Sequence, residues 1–327
     1  MFYLDDWAWA VLCFVSSWVG FMSVLTYLVM QLLQFVALQV PNNLHAKYNA
    51  RWALVTGASS GIGRELVELL AGQGVSVVMV ALEDQLLTSS FAELTKKYSS
   101  VAFRRCGCDL SKTCETFMPM ILNCTEDIHI SLLFNNAGFI LPGFFAESDY
   151  VKVRGNFECN CGSILPITHH FVRLMIERQR RGLVAFTSSS AGYFPGPTAT
   201  LYSSTKAFMT NFAASLAAEV KDAGVDVVIM HPSPVDTNFY KNTASQMKSL
   251  EQAQKAAVSP RVIAQQIIAA AGRITVWDQG MVSFLFRSVN KVLDMAMMWE
   301  LVVRFARVNG DHQRFAKASK LRNKKEK

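Results

Sequence analysis

Charged side chains are missing from the first part of this chain. Between Trp7 and Leu44 there is no Asp, Glu, Lys, Arg or His. A helix needs roughly 20 apolar residues to cross the hydrocarbon core of a bilayer. The segment is therefore long enough for one tilted span, and a tight hairpin that turns near Gly20 is equally open. We expect residues 1–46 to be a membrane anchor.

A basic start is missing as well, which argues against a cleaved signal peptide. Such a peptide needs a basic beginning, a shorter apolar core and a small-residue cleavage site, whereas this chain begins with Asp5 and Asp6 and a longer apolar run. The flanking charge is acidic before the segment and basic after it, at Lys47 and Arg51. By the positive-inside rule the main domain then faces the cytosol.

Cysteine pairs with the spacing of a zinc site are also missing. The seven cysteines include Cys106 with Cys108 and Cys159 with Cys161. Neither pair has the two-residue gap of zinc sites, and no His follows at ligand spacing. We expect reduced, mostly buried thiols and no metal. Internal repeats, low-complexity tracts and interleaved aromatic and basic residues are absent too, so the sequence predicts no nucleic-acid partner.

The end of the chain is rich in positive charge. The formal net charge is +7 and is concentrated after Arg304, which is typical of a tail that lies on anionic lipid headgroups. The last four residues, KKEK, resemble the dilysine signal by which coat-type retrieval machinery returns membrane proteins to the endoplasmic reticulum. A solvated basic terminus is the alternative. We expect an endoplasmic reticulum membrane protein with a basic tail over residues 311–327.

The stretch MVSFLFRSVNKVLDMAMMWELVVRFARV, after Gly280, is apolar but interrupted by charge. Arg287, Lys291 and Asp294 share one helical face, which predicts an interfacial amphipathic helix. A core helix packed on the main domain is the alternative. We assign residues 273–310 to a C-terminal helical segment that lies on the membrane.

Apolar runs alternate with helix-length amphipathic stretches in the middle of the chain. The runs are WALVTG, VSVVMVAL, SLLFNNAG, GLVAFTSS and VDVVIMHP. Strands that are apolar throughout are buried on both faces, as in a parallel sheet covered by helices. The sequence therefore predicts an α/β domain over residues 47–272, with a doubly wound, Rossmann-type parallel sheet.

A glycine-rich turn follows the first predicted strand. TGASSGIG, from Thr56 to Gly63, places Gly57, Gly61 and Gly63 where a strand passes into a helix. The glycines let the backbone turn tightly and approach a pyrophosphate, and the helix start offers N–H groups to that anion. At this position the pattern predicts a dinucleotide site.

The end of the second strand bears on cofactor choice. It reads Val80-Ala81-Leu82 and is followed by Glu83 and Asp84, so no carboxylate stands at the position typical of NAD preference. Arg64, just after the glycine loop, could reach a 2′-phosphate. The net positive charge also favours the more anionic cofactor. We predict NADP(H) in preference to NAD(H).

In LYSSTKAF, Tyr202 and Lys206 are four positions apart, so on a helix they share a face. A free tyrosine has a pKa near 10, and lowering it toward 7 needs roughly 4 kcal/mol. An ammonium and a positive nicotinamide ring beside the phenol supply stabilisation of this kind. Such a tyrosine can donate a proton to a ketone oxygen.

Further motifs accompany this pair. They are Ser189 at the end of GLVAFTSS, NNAG, Asn160, the Cys-Asp-Leu stretch at Asp109, and HPSPVDT. With TGASSGIG and YSSTK, in this order and spacing, they resemble the short-chain dehydrogenase/reductase family over roughly residues 50–240. One departure is Pro232-Ser233, where the family has Pro-Gly.

The resemblance implies roles for these residues. Tyr202 is the acid/base, Lys206 binds the nicotinamide ribose, Ser189 orients the carbonyl and Asn160 completes a proton relay. Ser188 and Ser190 flank Ser189, so that assignment depends on spacing alone. The expected cofactor-binding residues are Gly57, Ser59, Ser60, Gly61, Ile62, Gly63, Arg64, Asp109, Leu110, Asn136, Ala137, Gly138, Tyr202, Lys206, Pro232, Val235 and Thr237.

The anchored arrangement resembles the branch of 17β-hydroxysteroid dehydrogenases and very-long-chain 3-oxoacyl-CoA reductases. This implies reduction of a lipid-like ketone that enters from the membrane near Phe139, Phe144 and Phe145, although these aromatics could equally be packing residues. 3-Ketosphinganine reduction and retinoid or steroid oxidoreduction are alternatives. An inactive nucleotide-binding scaffold is the alternative of another class. The family commonly forms homodimers through two helices that flank the sheet.

Overall fold

The computed structural model describes residues 6–240 and 247–325, in two units, Met1–Pro41 and Asn42–Lys327. The first unit contains α1 (Asp6–Gln39), a continuous helix of 34 residues. The chain does not turn back at Gly20, so of the two arrangements left open by the sequence the structure has the single helix. At 1.5 Å per residue α1 is about 51 Å long. Of the described residues, α1 alone is long and apolar enough to cross a membrane.

The second unit is built on a parallel sheet. Its described strands are β1 (Trp52–Thr56), β2 (Ser76–Ala81), β3 (Phe103–Gly107), β4 (Ile130–Asn135), β5 (Gly182–Thr187), β6 (Val225–His231) and β7 (Val276–Asp278). They pair in the order β3-β2-β1-β4-β5-β6-β7, and every pair is parallel. This confirms the predicted doubly wound α/β class.

Helices cover this sheet and continue to Lys325. In the described ranges they are α2 (Leu44–Tyr48), α3 (Gly61–Gly72), α4 (Gln85–Lys97), α5 (Cys114–Asn123), α6 (Tyr150–Phe157), α7 (Ile164–Glu177), α8 (Thr200–Val220), α9 (Lys248–Gln254), α10 (Pro260–Ala270), α11 (Gly280–Val292), α12 (Met295–Phe305) and α13 (Gly310–Lys325). A single π-helical turn over Glu158–Gly162 joins α6 to α7.

The central strands form the core. Every residue of β4 and β5 is buried, as expected for strands with helices on both faces. Phe134 and Phe186 are among the largest fully buried side chains. Since the strand order reverses between β1 and β4, a crevice opens at the carboxyl ends of these strands. This crevice is where the functional residues lie.

The loops that follow β1 and β4 are bonded to one another at the crevice. The hydroxyl of Thr56 accepts hydrogen bonds from the backbone N–H groups of Asn136 at 2.9 Å and Ala137 at 3.0 Å. The Asn136 amide nitrogen donates back to the Thr56 carbonyl oxygen at 3.1 Å. One threonine therefore holds the NNAG turn against the glycine loop.

Residues 42–46, which the sequence grouped with the apolar segment, lie in the second unit. The amide nitrogen of Asn42 donates to the carbonyl oxygens of Ile268 at 2.8 Å and Ala271 at 3.0 Å. Leu44 is fully buried, and the hydroxyl of Tyr48 donates to Asp226 at 2.9 Å. The segment just after α1 is thus part of the α/β unit.

The segment 273–310 contains β7, α11 and α12, and has an inner and an outer face. On the inner face Ser283 is fully buried and donates to the His231 carbonyl oxygen at 3.0 Å. The outer face exposes large apolar side chains, including Val292 (84%) and Val303 (73%). The basic tail is helical as α13. The inner face is packed on the main domain, as in one of the two arrangements that the sequence left open, and the position of the outer face on a membrane stays a prediction.

Two glycines of α3 allow a matched test of the glycine loop. A methyl group at Gly63 would lie 2.7 Å from the Asn136 amide nitrogen and 2.8 Å from the Gly57 carbonyl carbon, whereas one at Gly72 meets only Tyr98 at 3.9 Å. We expect Gly63→Ala to lower the free energy of unfolding by about 1–3 kcal/mol through overpacking.

Gly72→Ala is the control and should be neutral or stabilising by up to about 1 kcal/mol, because alanine favours helix. Both variants are compared by denaturant unfolding of the full chain in detergent. Equal stability of the two variants would contradict the close packing of Gly63.

Candidate active site

A cleft of about 670 Å³ lies at the carboxyl ends of the strands. All the predicted cofactor-binding residues line it except Gly63 and Arg64. The lining residues are Gly57, Ser59, Ser60, Gly61, Ile62, Ala81, Leu82, Asp84, Leu86, Cys108, Asp109, Leu110, Ser111, Asn136, Ala137, Gly138, Phe139, Cys159, Thr187, Ser188, Ser189, Tyr202, Lys206, Pro232, Ser233, Val235, Thr237, Asn238 and Phe239.

The glycine loop forms one wall of the cleft as a bare backbone surface. Gly57 and Gly61 have positive φ angles of 65° and 55°, which favour glycine. A methyl group at Gly61 would lie 2.9 Å from the Thr237 side chain. Ser60 precedes α3 without a side-chain capping hydrogen bond. The start of α3 therefore offers the N–H groups and dipole that suit a pyrophosphate, and the cradle fits a dinucleotide.

Asp84, after β2, and Asp109, after β3, have local hydrogen-bond partners. Asp109 accepts hydrogen bonds from the backbone N–H of Ser111 at 2.9 Å and from its hydroxyl at 2.6 Å. Asp84 caps α4 by accepting from the Leu87 N–H at 2.9 Å. Both acids line the cleft in orientations set by these bonds.

Arg64 lies outside the cleft lining and is engaged by acids. Its guanidinium donates to Glu93 at 2.6 Å and lies 3.6 Å from Glu68 and 3.8 Å from Glu65. Contact with a 2′-phosphate would require Arg64 to leave Glu93. Sequence reasoning placed Arg64 by its position in the chain, but acids on α3 and α4 determine where its side chain lies.

Tyr202 and Lys206 lie one turn apart on α8, and both face the cleft. The Lys206 amine nitrogen is 5.7 Å from the centre of the Tyr202 ring. It donates to the Thr187 carbonyl oxygen at 2.7 Å, and the residue is only 3% exposed. The end of β5 thus holds the amine beside the phenol.

Burial controls the charge of Lys206. Removal from water lowers the pKa of the Lys206 ammonium to about 8, and the thiols of Cys159 and Cys161 oppose this shift. Burial raises the pKa of each thiol to about 12, against the influence of Lys206. At neutral pH the amine is mostly an ammonium, and the two thiols are neutral.

The structure separates the three consecutive serines. Ser189 lines the cleft, and its hydroxyl accepts a hydrogen bond from the Ala191 N–H at 3.1 Å. Ser188 donates instead to the Lys206 carbonyl oxygen at 2.9 Å. Ser190 is buried and does not line the cleft. Ser188 and Ser189 both line the cleft, but the Ser188 hydroxyl is bonded to α8, so Ser189 is the better candidate for contact with a substrate oxygen.

Asn160 lies behind the cleft in the π-helical turn. Its side-chain oxygen accepts from the Phe139 N–H, and its amide nitrogen donates to the Phe139 carbonyl oxygen, both at 2.9 Å. A methyl group on Gly138 would lie 3.1 Å from the Asn160 oxygen and 3.6 Å from the Lys206 amine nitrogen. Asn160 thus holds the turn that covers Lys206.

A buried polar network that sequence reasoning missed supports α8. The His231 ring bonds the Tyr193 hydroxyl and the Thr210 hydroxyl, each at 2.9 Å, and lies 3.0 Å from Asp278. Thr210 donates to the Lys206 carbonyl oxygen at 2.9 Å. Burial would raise the pKa of Asp278, but its bonds to His231, Tyr193 and Arg287 lower it. Asp278 is therefore linked to α8 through His231 and Thr210.

The fold and the cleft together define a dinucleotide-binding protein of the Rossmann type. The sequence profile of the short chain dehydrogenase family matches residues 51–248. The chain therefore belongs to the short chain dehydrogenase family, as its motifs predicted.

Curated relatives include fungal proteins named very-long-chain 3-oxoacyl-CoA reductase. The protein from Laccaria bicolor is 33% identical over 193 residues, or 58% of this chain and 56% of the relative. The one from Meyerozyma guilliermondii is 28% identical over 239 residues, or 70% of this chain and 67% of the relative. The chain thus matches little more than half the length of the Laccaria protein. These similarities agree with the predicted branch.

Solved structures of similar fold include a 7β-hydroxysteroid dehydrogenase, with a TM-score of 0.69 and 21% identity over 84% of this chain and 98% of that chain. A 3-ketoacyl-(acyl-carrier-protein) reductase from Brucella melitensis, solved with NADH, has a TM-score of 0.60 and 19% identity over 70% of this chain and 96% of that chain. These likenesses confirm the fold.

The lowered pKa of Lys206 predicts a pH dependence of cofactor binding. The folded chain loses the Lys206 proton near pH 8, whereas an exposed lysine keeps it to about 10.5. Since the ammonium favours an anionic ligand, we expect the Kd for NADPH to be constant below pH 8. Above pH 8 it should rise by up to about tenfold per pH unit as the charge is lost.

The measurement is a fluorescence titration of NADPH between pH 6 and pH 10. Lys206→Met is the matched variant and should bind more weakly below pH 8, without a break near 8, and the two Kd values should converge toward pH 10. The same pH profile in both proteins would show that Lys206 does not carry the effect.

Proposed function

We propose that this protein reduces a hydrophobic ketone to an alcohol with a nicotinamide dinucleotide as hydride donor. The observation that carries the proposal is the placement of Tyr202, Lys206 and Ser189 in one cleft beside the glycine cradle. The relatives named very-long-chain 3-oxoacyl-CoA reductase support a 3-oxoacyl-CoA as the ketone. A steroid-type ketone, 3-ketosphinganine and retinoids are the other candidates.

In this mechanism the side chains position the carbonyl and supply its proton. The hydroxyl of Ser189 donates to the carbonyl oxygen and stabilises the charge that develops there. The ammonium of Lys206 favours the ionised form of Tyr202, so the phenol donates its proton readily to that oxygen. A nicotinamide dinucleotide held by the glycine cradle would supply the hydride to the carbonyl carbon. Asn160 completes the route by which Lys206 restores the proton of Tyr202.

Apolar side chains enclose the substrate side of Tyr202. The Phe239 ring lies 5.7 Å from the Tyr202 ring, between centres. Buried Ile140, Ala199 and Met247 belong to the same cluster. Surroundings of this kind exclude water and suit an acyl chain or another lipid-like ketone, because burial of apolar surface favours binding.

NADP(H) in preference to NAD(H) remains a prediction. It is supported by the net charge of +7. Among the described residues that line the cleft, Lys206 is the only Lys or Arg. Preference for NADP(H) would therefore require Arg64 to exchange Glu93 for the 2′-phosphate, and turnover measured with each cofactor decides the point.

The proposed location is the endoplasmic reticulum membrane, with the α/β unit in the cytosol. α1 is the proposed anchor, and the apolar outer faces of α11 and α12 would lie on the membrane surface. The dilysine-like end lies partly outside the described residues, since Glu326 and Lys327 are beyond them.

The proposed homodimer would form through α7 and α8. An apolar groove on these helices is lined by residues that include Val172, Ile176, Phe212 and Leu216. A second copy that packs there would bury this surface.

Replacement of the phenol separates an enzyme from an inactive scaffold. Tyr202→Phe removes the proton donor and retains the ring that packs against Phe239. We expect at least a hundredfold lower kcat with a long-chain 3-oxoacyl-CoA, as general acid catalysis contributes about 10²–10⁴-fold. The Kd for NADPH should change less than threefold.

The control is Tyr150→Phe, an exposed tyrosine at 74%, which should keep full activity. If the unchanged protein oxidises no NADPH with a panel of lipid ketones in liposomes, the proposed enzymatic function is wrong and the inactive scaffold is the better hypothesis.

Topology gives a further prediction. In sealed microsomes we expect added protease to remove an epitope tag placed after Lys327, because the positive-inside rule puts that end in the cytosol. The same tag in detergent-opened microsomes is the control for accessibility. If the tag survives in sealed microsomes but is removed in detergent-opened ones, the proposed orientation is wrong.

A further inference from the structure

The helix at the end of the chain packs beside the substrate side of the cleft. Phe315 of α13 belongs to the apolar cluster of Ile140, Ala199 and Met247, which also contains Tyr202 and Phe239. The cluster joins the catalytic tyrosine to α13 through a few side chains. α13 is therefore part of the substrate end of the site.

Several bonds hold α13 in this position. Asp311 is 3% exposed, and its carboxylate accepts two hydrogen bonds from Ser249. The donors are the Ser249 hydroxyl and the Ser249 backbone N–H, the latter at 3.2 Å. Ser319 donates to Glu147 at 2.8 Å. The contacts lie at both ends of the face that carries Phe315, so the helix is fastened to α9 and to the 145–147 turn.

Phe144 lies in the loop after β4, whose residue Phe139 lines the cleft, and it packs against α13. Its ring lies 5.0 Å from the His312 ring and 6.3 Å from the Phe315 ring, in edge contacts. Five residues earlier, Phe139 lines the cleft and is 37% exposed. Of the aromatics predicted at the membrane side, Phe139 thus lines the cleft, Phe144 binds α13 and Phe145 is exposed.

The rest of α13 is strongly basic. Its sequence GDHQRFAKASKLRNKK contains six Lys or Arg residues and one acid. Arg314 and Lys317 lie within one helical turn of Phe315 and are both exposed. In the described residues no carboxylate lies within ion-pair distance of either side chain. The one acid of the helix, Asp311, faces inward to Ser249.

We propose that the basic face of α13, marked by Arg314 and Lys317, binds the phosphate groups of a coenzyme A thioester whose 3-oxo group lies at Tyr202. The proposal deepens the proposed function and rests on it. Of the candidate ketones, an acyl-CoA carries phosphates joined to the acyl group by a long flexible arm, whereas steroids, retinoids and 3-ketosphinganine carry none. Cations beside the mouth would raise the local concentration of such an anion.

The arrangement also divides the two halves of the substrate between two surfaces. The apolar cluster around Phe239 and Phe315 contacts the acyl chain near the ketone. The charged helix outside it contacts the nucleotide end. Selection between ketones then follows from charge, because an uncharged ketone gains nothing from the basic face of α13.

The experiment compares one acyl group on two carriers. The full chain in neutral phosphatidylcholine vesicles is assayed with a long-chain 3-oxoacyl-CoA and with the same acyl group on N-acetylcysteamine, which lacks phosphate. In the double variant Arg314→Glu/Lys317→Glu we expect the KM for the CoA ester to rise at least tenfold at unchanged kcat. The KM for the N-acetylcysteamine ester should stay within twofold of its value in the unchanged protein. Added salt should raise the KM of the unchanged protein for the CoA ester only.

The matched control reverses the charge of one lysine and one arginine outside α13. Lys96→Glu/Arg180→Glu makes the same change in net charge on exposed positions of α4 and of the loop before β5. It should leave both KM values unchanged, which separates a site on α13 from the overall field.

Other outcomes decide against the proposal in distinguishable ways. If the unchanged protein reduces neither ester, the proposed function itself fails. If the α13 variant raises the KM for both esters equally, or if the control variant raises the KM for the CoA ester as much, α13 does not bind the phosphates. Unchanged KM values with reduced binding to anionic vesicles would assign the basic face to lipid headgroups and overturn the proposal.

Discussion

The site depends on an ammonium that is held almost entirely out of water. Transfer of a charge to the interior is costly unless partners compensate for it, and Lys206 has the Thr187 carbonyl oxygen as its hydrogen-bond partner. The cost keeps the proton weakly held, so Lys206 responds strongly to any negative charge nearby. A phenol or an anionic ligand that enters the cleft therefore has a large effect. Ser188 and Thr210, which hold the Lys206 backbone, fix the amine against Thr187.

Local sequence patterns predict the cofactor half of the site well. Spacing of four on a helix places Tyr202 and Lys206 together whatever the rest of the chain does. Apolar runs give the buried strands β4 and β5, and a glycine turn after β1 gives the cradle. Because the carboxyl ends of parallel strands meet at one edge, these local features suffice to assemble the cleft.

Features that depend on distant residues were not predictable in the same way. The direction of the Arg64 side chain is decided by Glu93, on another helix. The choice of Ser189 over Ser188 depends on where α8 packs. The pairing of His231 with Asp278 joins residues 47 positions apart. The sequence predicted that residues 311–327 form a basic tail on lipid headgroups, because Phe315 and Leu321 are the only large apolar residues of α13. Propensity and periodicity carry no information about such contacts.

This difference between local motifs and contacts of distant residues explains why membership of the family indicates the reaction but not the substrate. The match to the short chain dehydrogenase family ends at residue 248, whereas Phe315, Asp311 and the basic face of α13 lie beyond it. The proposed chemistry uses the cradle, Tyr202 and Lys206, all of which lie in short motifs within the match. In our proposal, substrate choice depends on the surface on the other side of Tyr202, to which the end of the chain contributes Phe315 and the basic face of α13. Relatives that share the first part and differ in the last would perform the same hydride transfer on different ketones.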